Sequence, residues 1–307
     1  MKKTSYVLGV LLTGVLGSFL VWYIGCCNCN KKSKSQITNT NTAKVDKNVQ
    51  GYPFTIKDEK GIVDYTVQEN FNFYKSGFKF ITPISGGLNE GITHLKSYLM
   101  DNLMREVDVT GGYTSDEIND SPFPNLGIAR ANSVKNHLVS NGVDSHSINL
   151  KSELLDGVVI KDSVFVGPVS FHIHELNKDE SESSKKELEA IHQHIMGDPL
   201  LLHFEFGDNT LHFNDTQRNK IKEIITYIDK SHDAVIDVIG HSDNVGSPES
   251  NTKLGLERAA FVKSYLVSIG VNTSQIKVDS KGPANPIATN DTEEGRAKNR
   301  RVEIILE

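Results

Sequence analysis

Two side chains of opposite charge dominate the chemistry that this sequence can offer. Asp243 stands in Gly240-His-Ser-Asp243-Asn-Val-Gly246, and Arg258 follows in Leu254-Gly-Leu-Glu-Arg258-Ala. A carboxylate accepts hydrogen bonds from an ammonium, and a planar guanidinium forks a carboxylate. Held a few ångströms apart, the pair would grip both charged groups of a zwitterionic amino acid. Taken as an arbitrary Asp and Arg, the same two residues would read first as a structural ion pair. Asn251, between them, either orders the connecting loop through side-chain to backbone bonds or touches the ligand. Ser242 precedes the acid. Arg300 and Arg301 open the last apolar run, and one of them is expected at the pocket while the other is solvated.

Other chemistries find less support. Gly240-His-Ser begins like a nucleophile elbow, but Asn244 stands where that pattern needs its second glycine. His172-Ile-His174 and His192-Gln-His194 have a spacing used in metal sites, yet the sequence places no third ligand beside either. No Walker-type phosphate loop occurs. All three cysteines, Cys26, Cys27 and Cys29, lie near the N-terminus, so neither a disulfide nor a thiol nucleophile is available beyond them. The reading is a protein without catalytic residues, metal or cofactor.

The elements that would position Asp243 and Arg258 are legible around them. Leu200–Phe206 and Ala234–Gly240 read as strands, Gln275–Asp279 as a third and Arg301–Leu306 as a fourth. Asn214 or Asp215 caps a helix whose Ile221, Ile224, Ile225 and Ile228 share one face. A second helix is expected over Arg258–Ile269, with Gly270 just past its end. Asp243 then ends a strand, Arg258 sits on the first turns of a helix, and the fifteen-position step between them folds as a loop. The order βαβαβ plus a terminal strand predicts an α/β sandwich of α+β type, with helices on one sheet.

This unit is duplicated. Leu126–Ser152 aligns with Leu254–Ser280 with 13 identities in 27 positions at an offset of 128, and Val107-Asp-Val109 matches Ile236-Asp-Val238 at 129. The first copy keeps Arg130 opposite Arg258. Counting in either direction places Ser115 or Thr114 opposite Asp243, with Asp116 nearby, and Phe123 opposite Asn251. The expected organisation is an anchor over 1–30, a polar tether over 31–50, a degenerate copy over 51–176, a charged linker or helix over 177–198 and an intact copy over 199–307. Within the anchor, Tyr6–Gly25 is uncharged and about 20 residues long, enough to span a bilayer. An uncleaved helix, a removed signal and a lipoprotein at Cys26 remain open there.

The chain has 307 residues, 33 Lys+Arg and 39 Asp+Glu, a net charge of −6 that excludes a general nucleic-acid binder. The run Gly240…Asp243…Gly246…Asn251…Leu254…Arg258-Ala, closed by Asn299-Arg-Arg-Val-Glu303, resembles the OmpA C-terminal-like family of peptidoglycan-binding domains. Ser242 replaces the family's usual Thr, and Gly255 its usual Ser. The resemblance implies that Asp243 and Arg258 grip a diaminopimelate-type stem peptide of peptidoglycan, with Asn251, Ser242, Arg300 and Arg301 around them. It implies a bacterial envelope protein with two tandem domains on the periplasmic side of a membrane, inner or outer. The first copy is expected to act as a spacer or as a surface for other envelope proteins. Two alternatives are an envelope adaptor and a flagellar-stator component; the latter needs an intramembrane carboxylate that Thr4–Gly25 lacks.

Overall fold

Asp243 is placed by a parallel strand pair crossed by a long helix, and the same arrangement occurs twice. The computed structural model describes residues 52–307 except 59, 60, 62, 159, 161, 177, 205–210 and 232. The expected anchor and tether lie outside the described residues. Among the described residues, no helix is long and apolar enough to cross a membrane.

In the first half, β1 (Phe54–Lys57) and β2 (Asp64–Val67) form a hairpin. The short β3 (Phe73–Tyr74) pairs with β6 (Val164–Phe165). Helix α1 (Gly86–Asp101) leads to β4 (Arg105–Tyr113), α2 (Leu126–Ser140), β5 (Ile148–Leu154) and β7 (Val169–Glu175), with sheet order β5-β4-β7. The charged stretch forms a 20-residue helix, α3 (Lys178–Gly197). The second half follows as β8 (Leu200–His203), α4 (Asp215–Lys230), β9 (Ile236–His241), α5 (Pro248–Ser268), β10 (Ile276–Gly282), α6 (Glu293–Asn299) and β11 (Arg301–Leu306). Its sheet order is β10-β9-β11-β8. This is a mixed α/β architecture, as the strand and helix patterns predict.

The halves share register as well as order. Strands β4 and β5 are parallel with Val107 opposite Ile148, and β9 and β10 are parallel with Ile236 opposite Ile276. In both, the strand that closes the half runs antiparallel to the central one. The crossing helix lies almost on the backbone of the central strand. A Cβ on Gly240 would fall 1.8 Å from the Gly255 carbonyl oxygen, and one on Gly111 2.1 Å from that of Gly127. Gly255, the departure from the family's usual Ser, is therefore half of a glycine–glycine contact present in both halves.

The start of α5 departs from expectation. The helix begins at Pro248, capped by Ser247, ten residues before Arg258. Its inward face over the first turns is Asn251, Gly255 and Arg258, followed by Ala259, Val262 and Leu266. Those positions recur at helical spacing, but the first three are not apolar, so hydrophobic periodicity detects only the later turns. The connection from β9 is short, and Gly246 takes φ +100 within it, a left-handed conformation that suits a residue without Cβ. The cores also meet across the halves. Phe123, Ile128 and Ala129 pack in the same buried cluster as Ile236, Val262 and Val302. Asn132 and Asn136 donate to the Ile269 carbonyl at 2.7 and 2.8 Å, and Lys135 pairs with Asp229 at 2.6 Å.

Candidate ligand-binding site

The end of β9, the inner face of α5 and the junction of α6 with β11 converge on Asp243. Its carboxylate accepts from the Val245 N–H at 3.1 Å and from Arg300 Nη1 at 3.1 Å. Arg300 donates Nη2 to Glu293 at 2.8 Å, so its guanidinium bridges two acids. Burial lowers the affinity of Arg300 for its proton, but Asp243 and Glu293 outweigh that and raise its pKa. With one hydrogen bond given to each Asp243 oxygen, lone pairs remain for a further donor such as an ammonium.

Arg258 is in a different state. It is 8% exposed, its guanidinium lies over the Phe204 ring at 5.7 Å, and Nη1 donates to the His241 carbonyl at 3.3 Å. No carboxylate among the described residues pairs with it; Asp243 pairs with Arg300 instead. Burial and then the nearby Arg300 charge push the Arg258 guanidinium below its ordinary pKa, while Asp243 pulls the other way. A buried cation without an anion is costly unless another group supplies one. Arg258 also lies midway along a helix, buried and not at an open loop edge.

The remaining predicted residues divide into two groups. Asn251 lies in the first turn of α5 and donates its amide to the Val245 carbonyl at 3.1 Å, tying the turn that carries Asp243. Ser242 donates its hydroxyl to the Asp243 carbonyl at 2.9 Å and its N–H to Gly282 at 3.0 Å, fixing the strand end. Arg301 is not brought to Asp243. It is 3% exposed, donates to the Asn285 carbonyl at 3.2 Å and lies 3.6 Å from Glu303, so neither arginine is solvated. Residue-pattern reasoning missed Phe204 and Glu293. Glu293 stands seven residues before Arg300, two helical turns, but α6 is short and polar and gives no periodic signal. Among the described residues, no group of three potential metal ligands assembles. His194 pairs with Glu223 at 2.8 Å, and His192 packs on Tyr227.

The first half builds a matching arginine with a different outcome. Arg130 is fully buried, lies over the Phe73 and Phe165 rings at 5.4 and 5.1 Å, and donates Nη1 to the Gly112 carbonyl at 2.8 Å. Gly112 and His241 are 129 residues apart, so the two arginines use equivalent strand carbonyls. Unlike Arg258, Arg130 forks a carboxylate, that of Glu117, at 3.0 and 2.5 Å. Asp116 turns outward to Lys75.

Residues 203–300 match the family model described as OmpA family. The second half is an OmpA family domain. Among the relatives of this OmpA domain, Outer membrane protein A of Bordetella avium is 52% identical over 68 residues, 22% of this chain and 35% of that protein. Peptidoglycan-binding protein ArfA of Mycobacterium tuberculosis is 49% identical over 74 residues, 24% of this chain and 23% of that protein. The chain thus spans about a quarter to a third of the length of these curated relatives. Among solved structures, the peptidoglycan-associated lipoprotein from Burkholderia pseudomallei is 26% identical with a TM-score of 0.32, covering 35% of this chain and 89% of that one. The C-terminal domain of Helicobacter pylori MotB is 35% identical with a TM-score of 0.30, covering 36% of this chain and 84% of that one.

Proposed function

We propose that this is a non-enzymatic protein of the bacterial cell envelope that binds peptidoglycan non-covalently through its OmpA domain and links a membrane to the wall. The observation that carries the reading is the buried Arg258 guanidinium, which has no anion of its own beside an Asp243 already fixed by Arg300. A free stem-peptide end of diaminopimelate type supplies a carboxylate for Arg258 and an ammonium for Asp243. Asn251 and Ser242 hold the turn, and Arg300 orients the acid. The relative from Mycobacterium tuberculosis named as peptidoglycan-binding supports the same ligand. The first half, with its arginine occupied, is a degenerate copy serving as spacer or contact surface. The membrane attachment is assigned to residues 4–25, with both copies exported.

A sacculus pull-down with the full chain tests this. Asp243→Ala and Arg258→Lys should each lower affinity tens-fold or more, the scale for truncating one partner of a desolvated charged contact, about 2–5 kcal/mol. Lysine keeps the charge but loses the bidentate fork. Circular dichroism should show both variants folded. Parent-like binding by Asp243→Ala would favour the adaptor reading, in which the domain contacts envelope proteins.

A further inference from the structure

We infer, resting on the function proposed for Arg258, that the first half contains a carboxylate-binding site built like the one proposed there, and that the chain's own Glu117 occupies it. Arg130 and Arg258 are related by the 128-residue offset, sit over phenylalanine rings and donate Nη1 to equivalent strand carbonyls. The Glu117 carboxylate meets the Arg130 fork and also accepts backbone N–H bonds from Ser76 at 2.9 Å and Thr114 at 3.0 Å. Both side chains of the pair are completely buried. Charged donors and oriented N–H groups around one carboxylate make a pocket specific for that group.

Glu117 holds the place of a ligand's carboxylate and not that of Asp243. Following the strand from Gly112, which corresponds to His241, the position equivalent to Asp243 is Thr114. Its hydroxyl is donated to Asp116 at 2.6 Å. With a neutral residue there, the anion beside that position is Asp116, which turns outward to pair with Lys75 at 2.6 Å. The ligand class is therefore a simple monocarboxylate, and as folded the first half offers no second wall-binding site.

The part of Glu117 removed by Glu117→Ala is a CH2–COO− group, an acetate. In the full chain, this substitution should lower the thermal midpoint by on the order of 10 °C, because it leaves Arg130 buried without its partner. Sodium acetate should restore most of the loss in a saturable way, whereas acetamide, or sodium chloride at equal ionic strength, should not. The parent reports any acetate effect at Arg258, and Glu117→Ala combined with Arg130→Met should lose the rescue. If Glu117→Ala does not stay folded, its refolding yield in acetate against chloride gives the same reading. Acetate performing no better than chloride overturns the inference. Sacculus binding by the acetate-rescued chain is scored separately, so failure here leaves the second-half site testable on its own.

Discussion

Arg130 and Arg258 are both buried on the helices that cross the central strands, yet one is neutralised by the chain and the other is not. Around Arg130, Glu117 supplies the counter-charge, so that removing either partner would leave a buried charge uncompensated. Around Arg258, the nearest acid is committed to Arg300, so the guanidinium keeps its fork for another carboxylate at some cost to the folded state. Under the proposed function, one scaffold thus supports a structural use of Arg130 and a binding use of Arg258. The difference lies in whether the turn after the central strand delivers a carboxylate into the fork. The first-half turn does so through Glu117, whereas the second-half turn brings Asp243 beside Arg300.

The largest expected effect breaks the first-half pair. Arg130→Met should cost about 3–5 kcal/mol of stability, since it leaves a buried carboxylate uncompensated. Arg258→Met, at the equivalent position, should cost less, because it removes a buried charge that has no paired anion, at the loss of one carbonyl hydrogen bond and the Phe204 contact. Chemical denaturation of the two full-length variants measures the contrast.

Acid titration should separate the halves next. Burial pushes the Glu117 carboxyl up, but Arg130 and the Ser76 and Thr114 N–H groups outweigh it and hold the pKa below the ordinary value. The stabilisation is complete above about pH 4.3, the unfolded value, and is lost as pH falls through the lower folded one. In the second half, burial first, then the Arg301 and Lys281 charges, lower His241 to about 4. Stability should therefore decline as pH falls from about 6.5 to about 4. Glu117→Gln should flatten the first window and His241→Gln the second, read as unfolding midpoints against pH.

The smallest effect concerns Glu293. Its carboxylate is largely exposed, and such ion pairs contribute about 0–1 kcal/mol. Glu293→Gln should leave stability nearly unchanged and weaken sacculus binding only a few-fold, by loosening the arginine that orients Asp243. A loss as large as that of Asp243→Ala would place Glu293 among the ligand contacts.

The parts of this account that rest on apolar patterning were legible in the chain itself. The isoleucine face of α4 and the alternation of β9 and β11 place the sheet, and Asn214 caps α4 with a reciprocal Gln217 bond. The first turns of α5 were not legible, because Asn251, Gly255 and Arg258 form a buried face without hydrophobic residues. Asp243 and Arg258 could be named from the resemblance of their motif, but their mutual relation could not: a third residue, Arg300, takes the acid. Glu117 escaped for a similar reason. Alignment of the copies points to Thr114, Ser115 and Asp116, while the fork is filled by a side chain just beyond them.

The central claim is that Arg258 is held open for a ligand while Arg130 is closed by the chain. Sacculus affinity of full-length Arg258→Met and Arg130→Met, measured side by side at a temperature where both are folded, tests it most directly. Arg258→Met should lose tens-fold or more in affinity, and Arg130→Met should bind as the parent does. Equal binding by the two variants, or a loss confined to Arg130→Met, would contradict it.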